Sequence, residues 1–597
     1  MTAVVAPARE QLKISIAAML VLVAAAILAR NLSLESPLMA GDEYAYFAAA
    51  QTFPNSGERF ASDPYLPRIY SPAFAAYGSV LVRLSDRPAL VMKVLNTLSF
   101  VLTTLLFLGL VKRLGGVDPS PASAAVFLLL PVSAYTAYFM PETTYTLLFA
   151  LLTWSIVAVL PTRVLGGAVC AGALVGTMLL VKPHALAMFV AVLLTFGALL
   201  IAPSAVRPGR RTLLAGVALF IVSTYVTLVS LNGALTGVFQ PHPLAFVGGI
   251  YQPYLSQGVS LSSWTGRMEL LFKILCGHMF VFVAFLAPAL ALGAAHLGRL
   301  YSKQAVVAAD HARDRTLFVL IAFAALATFV TLGMTTNFTA QAAQTSPSEQ
   351  FRLHGRYYSF VIPLFLVLYF AVARDDKRAS VGDGWIRVGA VGGCVMAALL
   401  VYLQNKRIIY PFDFPEAFVF SSWSGRTRTG LAAIGAAIFT HAGIAAAMIG
   451  YGLILWRGRI ALFVYPLLLS ALFVLSDVGV TAWQRANSVI NAPLRADARA
   501  MHDLIPPAER DRGLVIGPEW NGPLAFALFN LGSSARVLVR EPESTLTDGD
   551  VPADVRWVLL IGRYTPAFRA TVAWRTPQIA YLRVNTQEPT TGSRSMR

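Results

Sequence analysis

Residues 164–201 read VLGGAVCAGALVGTMLLVKPHALAMFVAVLLTFGALLI and contain two apolar runs separated by a short polar turn at 182–184. Each run is long enough to cross the hydrocarbon core of a bilayer as an α-helix. Similar runs recur along most of the 597-residue chain, in which 56% of residues are hydrophobic and 13% are charged. A soluble domain carries roughly a quarter charged residues, so this composition predicts a polytopic membrane protein.

The same pattern predicts thirteen transmembrane helices along the chain. The first is not followed by a small-residue cleavage site, so we expect an uncleaved anchor and not a signal peptide that is removed. The expected spans are 12–31, 89–111, 121–139, 142–161, 164–181, 184–202, 212–235, 270–297, 316–335, 356–373, 387–404, 431–456 and 460–482.

The basic residues predict the orientation of these helices. The formal net charge is +17, and Lys and Arg concentrate in alternate short loops, as they do on the cytoplasmic side of membrane proteins. We therefore expect a multi-pass protein of the cytoplasmic (inner) membrane, with a cytoplasmic N-terminus and no nucleic acid partner. One predicted outer loop, 405–430, is an exception, because it holds four basic residues beside Asp413 and Glu416.

The chain changes character after residue 483. Three short apolar runs, 513–518, 535–542 and 555–562, have the length of buried strands, and 523–532 reads as a helix between the first two. Strand, helix and strand in this order predict a small α/β domain. The odd number of spans places this domain on the outer face. We therefore predict a mainly α fold, with a transmembrane domain at 1–483 and an extracytoplasmic α/β domain at 484–597.

The predicted outer loops are long, and the first of them, 32–88, holds two amphipathic stretches at 43–53 and 71–84. Amphipathic helices with an apolar face can lie on a membrane surface, and we expect these two stretches to do so. Long loops in an otherwise tight bundle usually cover a functional site.

Ionisable side chains in or beside the spans collect at the predicted outer ends. A charge at the centre of a bilayer costs roughly 2.5–3.5 kcal/mol on insertion scales, so such residues indicate function. We expect these residues to form a polar site at the outer membrane–water boundary; they are Asp42, Glu43, Lys93, Glu142, Lys182, His184, Lys273, His278, His354, Arg356 and Asp477.

The chemistry of this predicted site follows from its residue types. Asp42 and Glu43 are adjacent acids, and a carboxylate between water and apolar helix ends can act as a general base. Cations such as Lys182 and Arg356 suit the phosphate of a lipid head group. A base together with phosphate-binding cations suggests transfer of a group from a lipid phosphate to an acceptor hydroxyl.

Four motifs in this order resemble the membrane glycosyltransferases of the GT-C fold, the class that holds protein O-mannosyltransferases and lipid A aminoarabinose transferases. The motifs are GDEYAYF (41–47), MPETTY (140–145), KPH (182–184) and HGRYYSFVIP (354–363). The resemblance covers roughly residues 1–480. It implies a polyprenyl-phosphate-sugar donor, and an acceptor that is a lipid, a glycan or a protein of the cell envelope, with membrane lipids around the enzyme.

The resemblance also implies roles for single residues. Asp42 would be the base that activates the acceptor hydroxyl and Glu43 would help to position substrate, or the two roles would be reversed. Glu142 would orient the acceptor or a cation near the phosphate. A single displacement at the anomeric carbon would invert its configuration. The donor phosphate and substrate would be held by Lys182, His184, His354, Arg356 and Tyr357.

A metal ion and other functions stay open at this point. Some GT-C enzymes use a divalent metal, but the chain has no HExxH or similar spacing, so we expect no cofactor. The acidic pair and Glu142 also suit helix caps, and Lys182 suits an interfacial anchor. Two other classes fit a membrane protein of this kind: a transporter or flippase of a lipid-linked glycan, and a non-catalytic protein of envelope assembly. The first normally shows internal repeats and broken helices, and we find no repeat.

Overall fold

The computed structural model describes residues 5–54, 71–115, 119–204, 206–239, 264–301, 311–372, 392, 409–420, 458–510, 512–518, 520–532, 535–577 and 579–584. The α-helices of these ranges are α1 (Val5–Leu32), α2 (Ala40–Thr52), α3 (Pro72–Leu84), α4 (Pro88–Gly115), α5 (Pro121–Leu128), α6 (Glu142–Trp154), α7 (Val164–Val181), α8 (Leu186–Ile201), α9 (Arg210–Thr236), α10 (Trp264–Tyr301), α11 (His311–Thr345), α12 (Ile362–Val372), α13 (Gly458–Ile490), α14 (Ala492–Leu504) and α15 (Ala525–Leu531).

In the described part of the chain, eight helices are long and apolar enough to cross a membrane. This confirms the prediction of a mainly helical, multi-pass membrane protein. Each of the eight overlaps one predicted span; they are Ile14–Leu32, Pro88–Gly115, Glu142–Val159, Val164–Val181, Pro183–Ile201, Arg210–Thr236, Ala312–Gln344 and Val464–Ile490.

The other five predicted spans differ from the structure or lie outside it, so the count of thirteen is not confirmed. The span at 121–139 is the short α5 followed by a 3₁₀ segment, Pro131–Ala137. Pro131 explains the break, because proline lacks the N–H that a continuous helix needs. The span at 356–373 opens with 3₁₀ turns, and its α-helical part is α12 alone.

A third difference concerns the span at 270–297. It lies within the 38-residue α10, and this helix extends beyond both predicted ends. Similarly, α11 runs on through the first half of the predicted loop at 336–355. The predicted spans at 387–404 and 431–456 lie outside the described residues.

The chain divides into two compact units. The first, called here the helical unit, consists of Met1–Ser33, Lys93–Ala137 and Pro141–Trp483. The second, called here the mixed unit, consists of Leu34–Met92, Tyr138–Met140 and Gln484–Arg597. The mixed unit therefore contains residues of the predicted first outer loop as well as the C-terminal chain. The predicted domain limits, 1–483 and 484–597, stay a prediction.

The core of the mixed unit includes α2, which packs against α3 and α15. Phe47 of α2 lies between the rings of Phe139 and Phe529, at centroid distances of 5.4 and 4.6 Å. Residues 44–50 are each at most 6% exposed. The expectation that 43–53 lies on the membrane surface is therefore wrong, because the aromatic and alanine side chains of α2 are buried in protein.

The C-terminal part of the mixed unit is an α/β fold, as predicted. Its strands are β1 (Gly513–Gly517), β2 (Arg536–Val539), β3 (Thr545–Leu546), β4 (Trp557–Ile561), β5 (Thr565–Pro566), β6 (Ala570–Arg575) and β7 (Ile579–Val584). The main sheet has the order β2-β1-β4-β7-β6. Parallel pairing joins β2, β1 and β4, whereas β7 and β6 are antiparallel additions.

The sequence pattern of these strands explains which were predicted. Every residue of β1 and β4 is buried, as central parallel strands require, so both read as continuous apolar runs. The edge strand β6 is mostly exposed and has no comparable run, and the prediction missed it together with β7. The predicted helix at 523–532 contains α15.

In the helical unit, α7 and α9 pack closely through two glycines. A Cβ at Gly172 would come within 2.5 Å of the Phe220 carbonyl oxygen, and one at Gly176 within 2.8 Å of the Thr224 carbonyl oxygen. The four-residue spacing places both glycines on the same face of α7. Small residues at this spacing let two membrane helices approach backbone to backbone.

We expect Gly172→Ala to destabilise the protein by about 1–3 kcal/mol, because the added methyl group overpacks this contact. The matched control is Gly197→Ala in α8, where an added Cβ meets nothing within 4 Å. Thermal unfolding of the purified protein in detergent measures both variants. Equal melting temperatures for the two variants would contradict the close contact of α7 with α9.

Candidate functional site

Glu142 and Lys182 form a buried ion pair in the helical unit. Glu142 is the first residue of α6, and its Oε1 accepts a hydrogen bond of 2.8 Å from Lys182 Nζ. The side chains are 5% and 8% exposed. The sequence explains the position of Lys182, because a residue before proline avoids the helical conformation. Lys182 is accordingly extended, with φ −155°, and ends α7.

Tyr357 is the aromatic centre of this part of the helical unit. Its ring stacks on His184 at a centroid distance of 4.3 Å. Lys182 Nζ lies 5.4 Å from the centre of the same ring, and the Arg356 guanidinium lies 5.1 Å from it. Cations within about 6 Å of an aromatic ring are attracted by its quadrupole. The ring therefore brings two cations and one imidazole together.

Asp413 fixes the position of two arginines. It is fully buried, and Arg352 Nε donates to its Oδ2 at 2.5 Å. Arg356 Nε lies 3.7 Å from Oδ1, and the Arg356 backbone N–H donates to the Asp413 carbonyl oxygen. Tyr135 donates its hydroxyl hydrogen to the same carbonyl oxygen at 3.3 Å. One acidic residue thus holds the loop that carries Arg356.

Gly355 lets this loop approach the acidic segment. A Cβ at Gly355 would overlap the ring of Phe414, the residue after Asp413. Glycine is required there because the two segments pass too closely for any side chain.

Glu349 and His354 lie beside this arrangement. Arg352 Nη1 donates to Glu349 Oε1 at 3.0 Å, and His354 Nε2 lies 3.2 Å from Glu349 Oε2. Burial acts to raise the pKa of Glu349, but the hydrogen bond to His354 and the charge of Arg352 outweigh it and lower the pKa to about 2. Glu349 is therefore a carboxylate at any physiological pH. His354 stacks with Tyr357 at 5.9 Å, but it does not line the pocket described next.

The predicted residues Glu142, Lys182, His184, Arg356 and Tyr357 line one pocket of the helical unit. Most of the predicted substrate-binding set is therefore brought together. The remaining lining residues are Val132, Tyr135, Tyr145, Thr146, Ser359 and Phe360.

Glu416 is a buried carboxyl group near the pocket. Its side chain is 1% exposed, and the side chain of the pocket residue Ser359 lies next to it. Neither carboxyl oxygen makes a hydrogen bond of good geometry within the described residues. Burial raises the pKa of Glu416 from 4.5 to about 7, against the lowering effect of Ser359. The group is therefore an uncharged acid below neutral pH.

In the mixed unit, Glu43 is held by the backbone. Its Oε2 accepts hydrogen bonds from the N–H groups of Leu38 and Met39, at 2.5 and 2.7 Å, and its Oε1 accepts one from Phe139 at 2.9 Å. The residue is fully buried. A carboxylate with both oxygens bonded in this way ties the start of α2 to two other backbone segments, 38–39 and 139, so these contacts describe an anchor.

Asp42 has different surroundings, although it is the next residue in the chain. Both acids lie in the first turn of α2, and neighbouring positions of a helix point about 100° apart. Asp42 is half-buried where Glu43 is fully buried. Of the two acids, Asp42 is the one with solvent access. Asp42 and Glu43 belong to the mixed unit and the pocket residues to the helical unit.

The other predicted polar residues lie in separate surroundings. Asp477 pairs with Arg30 Nη1 at 2.7 Å, and Lys93 Nζ donates to the Asn31 carbonyl oxygen at 3.2 Å. His278 Nδ1 lies 3.0 Å from the Tyr358 hydroxyl. Lys273 makes an exposed ion pair with the residue four positions earlier. None of these four predicted residues lines the pocket.

Sequence reasoning missed several residues of the site. Arg352 and Glu349 lie just before the HGRYY motif, and Tyr145 is the last residue of the MPETTY motif. The residues that matter therefore include neighbours of those selected from each motif. One feature of the sequence could have indicated Asp413 and Glu416. They are the acids of the predicted outer loop 405–430, which is unusual among the outer loops in its basic residues. Within the described residues, no group of three or more His, Cys, Asp or Glu is placed to hold a metal ion.

No family model and no curated protein matches the chain. Similar solved structures include ArnT from Cupriavidus metallidurans bound to undecaprenyl phosphate, with 14% identity and a TM-score of 0.48 over 95% of this chain and 97% of that one. The apo oligosaccharyltransferase of Archaeoglobus fulgidus has 12% identity and a TM-score of 0.41, over 91% and 69% of the two chains. AglB of the same organism, in complex with an inhibitory peptide and a dolichol-phosphate, has 12% identity and a TM-score of 0.40, over 92% of this chain and 69% of that one.

ArnT and the oligosaccharyltransferase are GT-C fold membrane glycosyltransferases, the class that the four sequence motifs resemble. At these TM-scores and identities, the function of this chain has to be inferred from its own residues.

We expect Glu43→Gln to lower the stability of the protein by about 1.5–3 kcal/mol, the range for a hydrogen bond to a charged group. An amide has one acceptor oxygen, so its NH₂ group would face a backbone N–H that the carboxylate now accepts. The control is Asp42→Asn, for which loss of a charge near a helix N-terminus costs about 0.3–1 kcal/mol. Thermal unfolding compares them, and a greater loss for Asp42→Asn would refute the assignment of Glu43 as the anchor.

We expect the stability of the wild type, relative to Glu416→Gln, to fall between pH 4.5 and about 7. In this window the unfolded chain has already lost the Glu416 proton, whereas the folded protein still keeps it, so a rise in pH favours unfolding. Above about pH 7 the difference should be constant. Melting temperatures of both proteins across pH 4–9 measure it, and a difference that does not vary with pH would show that Glu416 is ionised in the folded state.

Proposed function

We propose that the protein is a glycosyltransferase that moves a sugar from a polyprenyl-phosphate-linked donor to an acceptor hydroxyl at the outer face of the cytoplasmic membrane. The observation that carries this proposal is the pocket of the helical unit, where Lys182 and Arg356 both lie close to the ring of Tyr357. Two cations in a largely buried pocket suit an anionic ligand such as a phosphate group. The surrounding membrane helices suit a phosphate that is attached to a lipid.

The arrangement of the charges supports phosphate binding at Arg356. Lys182 and Arg352 lie within 2.8 Å of a carboxylate oxygen, whereas the Arg356 Nε lies 3.7 Å from Asp413. Of these three cations, Arg356 lies farthest from its carboxylate partner, and its Nη2 donates a hydrogen bond of 3.1 Å to the Tyr357 hydroxyl. Glu142 keeps Lys182 in place, which favours a positioning role for Glu142 in this site.

Asp42 is the proposed general base. It has solvent access in the first turn of α2, whereas the carboxylate of Glu43 is occupied by backbone N–H groups. A base must lie within reach of the acceptor hydroxyl whose proton it takes, and a fully buried carboxylate does not. Of the two alternatives for the acidic pair, these contacts favour Asp42.

The proposed reaction is one displacement at the anomeric carbon. The acceptor oxygen forms a bond to that carbon while its proton passes to the Asp42 carboxylate. The bond from the carbon to the phosphate oxygen breaks, and its electron pair leaves with the lipid phosphate. Lys182 and Arg356 stabilise the charge on the departing phosphate. Attack from the side opposite the leaving group inverts the configuration of the sugar.

We expect Asp42→Asn to reduce sugar transfer by about 10²–10⁴-fold, the usual contribution of general base catalysis. The assay uses protein reconstituted in lipid, a panel of undecaprenyl-phosphate sugars and envelope extracts as acceptors. The control is Asp86→Asn, an exposed acid of the mixed unit, which should transfer sugar as the wild type does. Normal transfer by Asp42→Asn would eliminate Asp42 as the base.

The same reconstituted protein tests the transporter alternative. If the wild type moves a lipid-linked sugar across the bilayer and transfers it to no acceptor, the glycosyltransferase proposal fails. If it does neither, a non-catalytic role in envelope assembly is favoured.

A further inference from the structure

Two side-chain oxygen atoms in the pocket of the helical unit have no hydrogen-bond partner within the described residues. They are Glu142 Oε2 and the Tyr145 hydroxyl oxygen, and both are buried. Their residues are 5% and 3% exposed and both line the pocket. A buried polar group without a partner costs free energy, so such groups indicate a ligand or another polar occupant.

Glu142 and Tyr145 are three positions apart on α6, so their side chains lie on the same helix face. The other oxygen of Glu142 accepts from Lys182 at 2.8 Å. The open Oε2 is therefore next to the cation that the proposed function assigns to the phosphate. The phosphate and whatever binds Oε2 are neighbours in this pocket.

The chemistry of the two groups restricts the occupant. An ionised carboxylate accepts hydrogen bonds and cannot donate one, whereas a tyrosine hydroxyl does both. A phosphodiester has acceptor oxygens only, and its negative charge would be repelled by Glu142. The group beside Oε2 must therefore carry a hydrogen-bond donor. A hydroxyl-bearing sugar ring has donors and acceptors on adjacent carbons, and so suits both atoms.

We propose that Glu142 Oε2 and the Tyr145 hydroxyl bind hydroxyl groups of the donor's sugar ring, next to its phosphate, and that Tyr145 is a specificity-determining residue. This inference rests on the proposed function. It adds a division of the pocket, in which Lys182 and Arg356 bind the phosphate while one face of α6 binds the sugar.

A purely structural role for the Tyr145 hydroxyl has a different consequence. The Tyr145 ring packs edge-on against Phe360 at a centroid distance of 5.1 Å, and a phenylalanine ring keeps that contact. Because the hydroxyl has no partner within the described residues, Tyr145→Phe should melt at the wild-type temperature or above it. A hydroxyl that stabilised the fold would instead lower the melting temperature when removed.

The test compares binding of undecaprenyl phosphate with binding of undecaprenyl phosphate linked to glucose, mannose, galactose, arabinose or N-acetylglucosamine. We expect the wild type to bind at least one sugar-bearing lipid more tightly than undecaprenyl phosphate. Tyr145→Phe should weaken that binding about tenfold, as expected for loss of one hydrogen bond of about 1.4 kcal/mol. Its affinity for undecaprenyl phosphate should stay within about twofold of the wild type. The control is Tyr369→Phe, a buried tyrosine of α12 outside the pocket.

The outcomes separate this inference from the proposed function. If Tyr145→Phe binds every sugar-bearing lipid as the wild type does, or weakens both kinds of lipid equally, Tyr145 does not bind sugar. If the wild type binds undecaprenyl phosphate and no sugar-bearing lipid more tightly, a water molecule or another small group occupies the α6 face, and only the phosphate-binding part survives. If the wild type binds none of these lipids, the proposed function fails as well.

Discussion

Every charge that the helical unit buries has to be compensated, because an isolated ion in a region of low dielectric costs several kcal/mol. Asp413 shows how this constraint organises the pocket. It is fully buried, and its carboxylate charge is compensated by the guanidinium groups of Arg352 and Arg356. The 3₁₀ turn Gly355–Tyr357 is therefore fixed by electrostatics as well as by packing.

The second buried ion pair has the same effect on two helices. Lys182 is placed outside the helical conformation by the following proline, and it reaches Glu142 at the first turn of α6. The pair joins the end of α7 to the start of α6. Removal of either partner would leave a buried charge without compensation, which costs more than the pair contributes when it is intact. The start of α6 and the 3₁₀ turn Gly355–Tyr357, which both contribute residues to the pocket, thus depend on paired charges.

The three ion pairs also explain how one pocket can suit a ligand of mixed character. The cations Lys182 and Arg356 lie close to one aromatic ring, and the acid that pairs with Lys182 has one oxygen without a hydrogen-bond partner within the described residues. Cationic, acidic and hydroxyl groups in one small volume favour a ligand that carries a charge and neutral hydroxyls side by side. A phosphate joined to a sugar has this combination.

The sequence alone indicated a multi-pass membrane protein and predicted five of the eleven residues that line the pocket. Apolar runs of membrane length identify transmembrane helices directly, because a segment in lipid must be apolar and must satisfy its own backbone hydrogen bonds in any topology. Ionisable residues at the ends of those runs stand out for the same reason, and Glu142, Lys182, His184 and Arg356 were predicted on that basis. The buried strands β1 and β4 were readable because both of their faces are apolar.

Only the tertiary structure decided which polar groups meet. Asp413 and Glu416 lie more than fifty residues beyond the HGRYY motif, and their burial depends on how the chain folds back. Asp42 and Glu43 are adjacent and chemically alike, so no local pattern separates them. They differ because the Glu43 carboxylate accepts hydrogen bonds from buried backbone N–H groups, whereas Asp42 is only half-buried. The periodicity of side chains along the sequence indicates whether a segment is a helix or a strand. The partner of each buried polar side chain is set by contacts between distant parts of the chain, which periodicity does not contain.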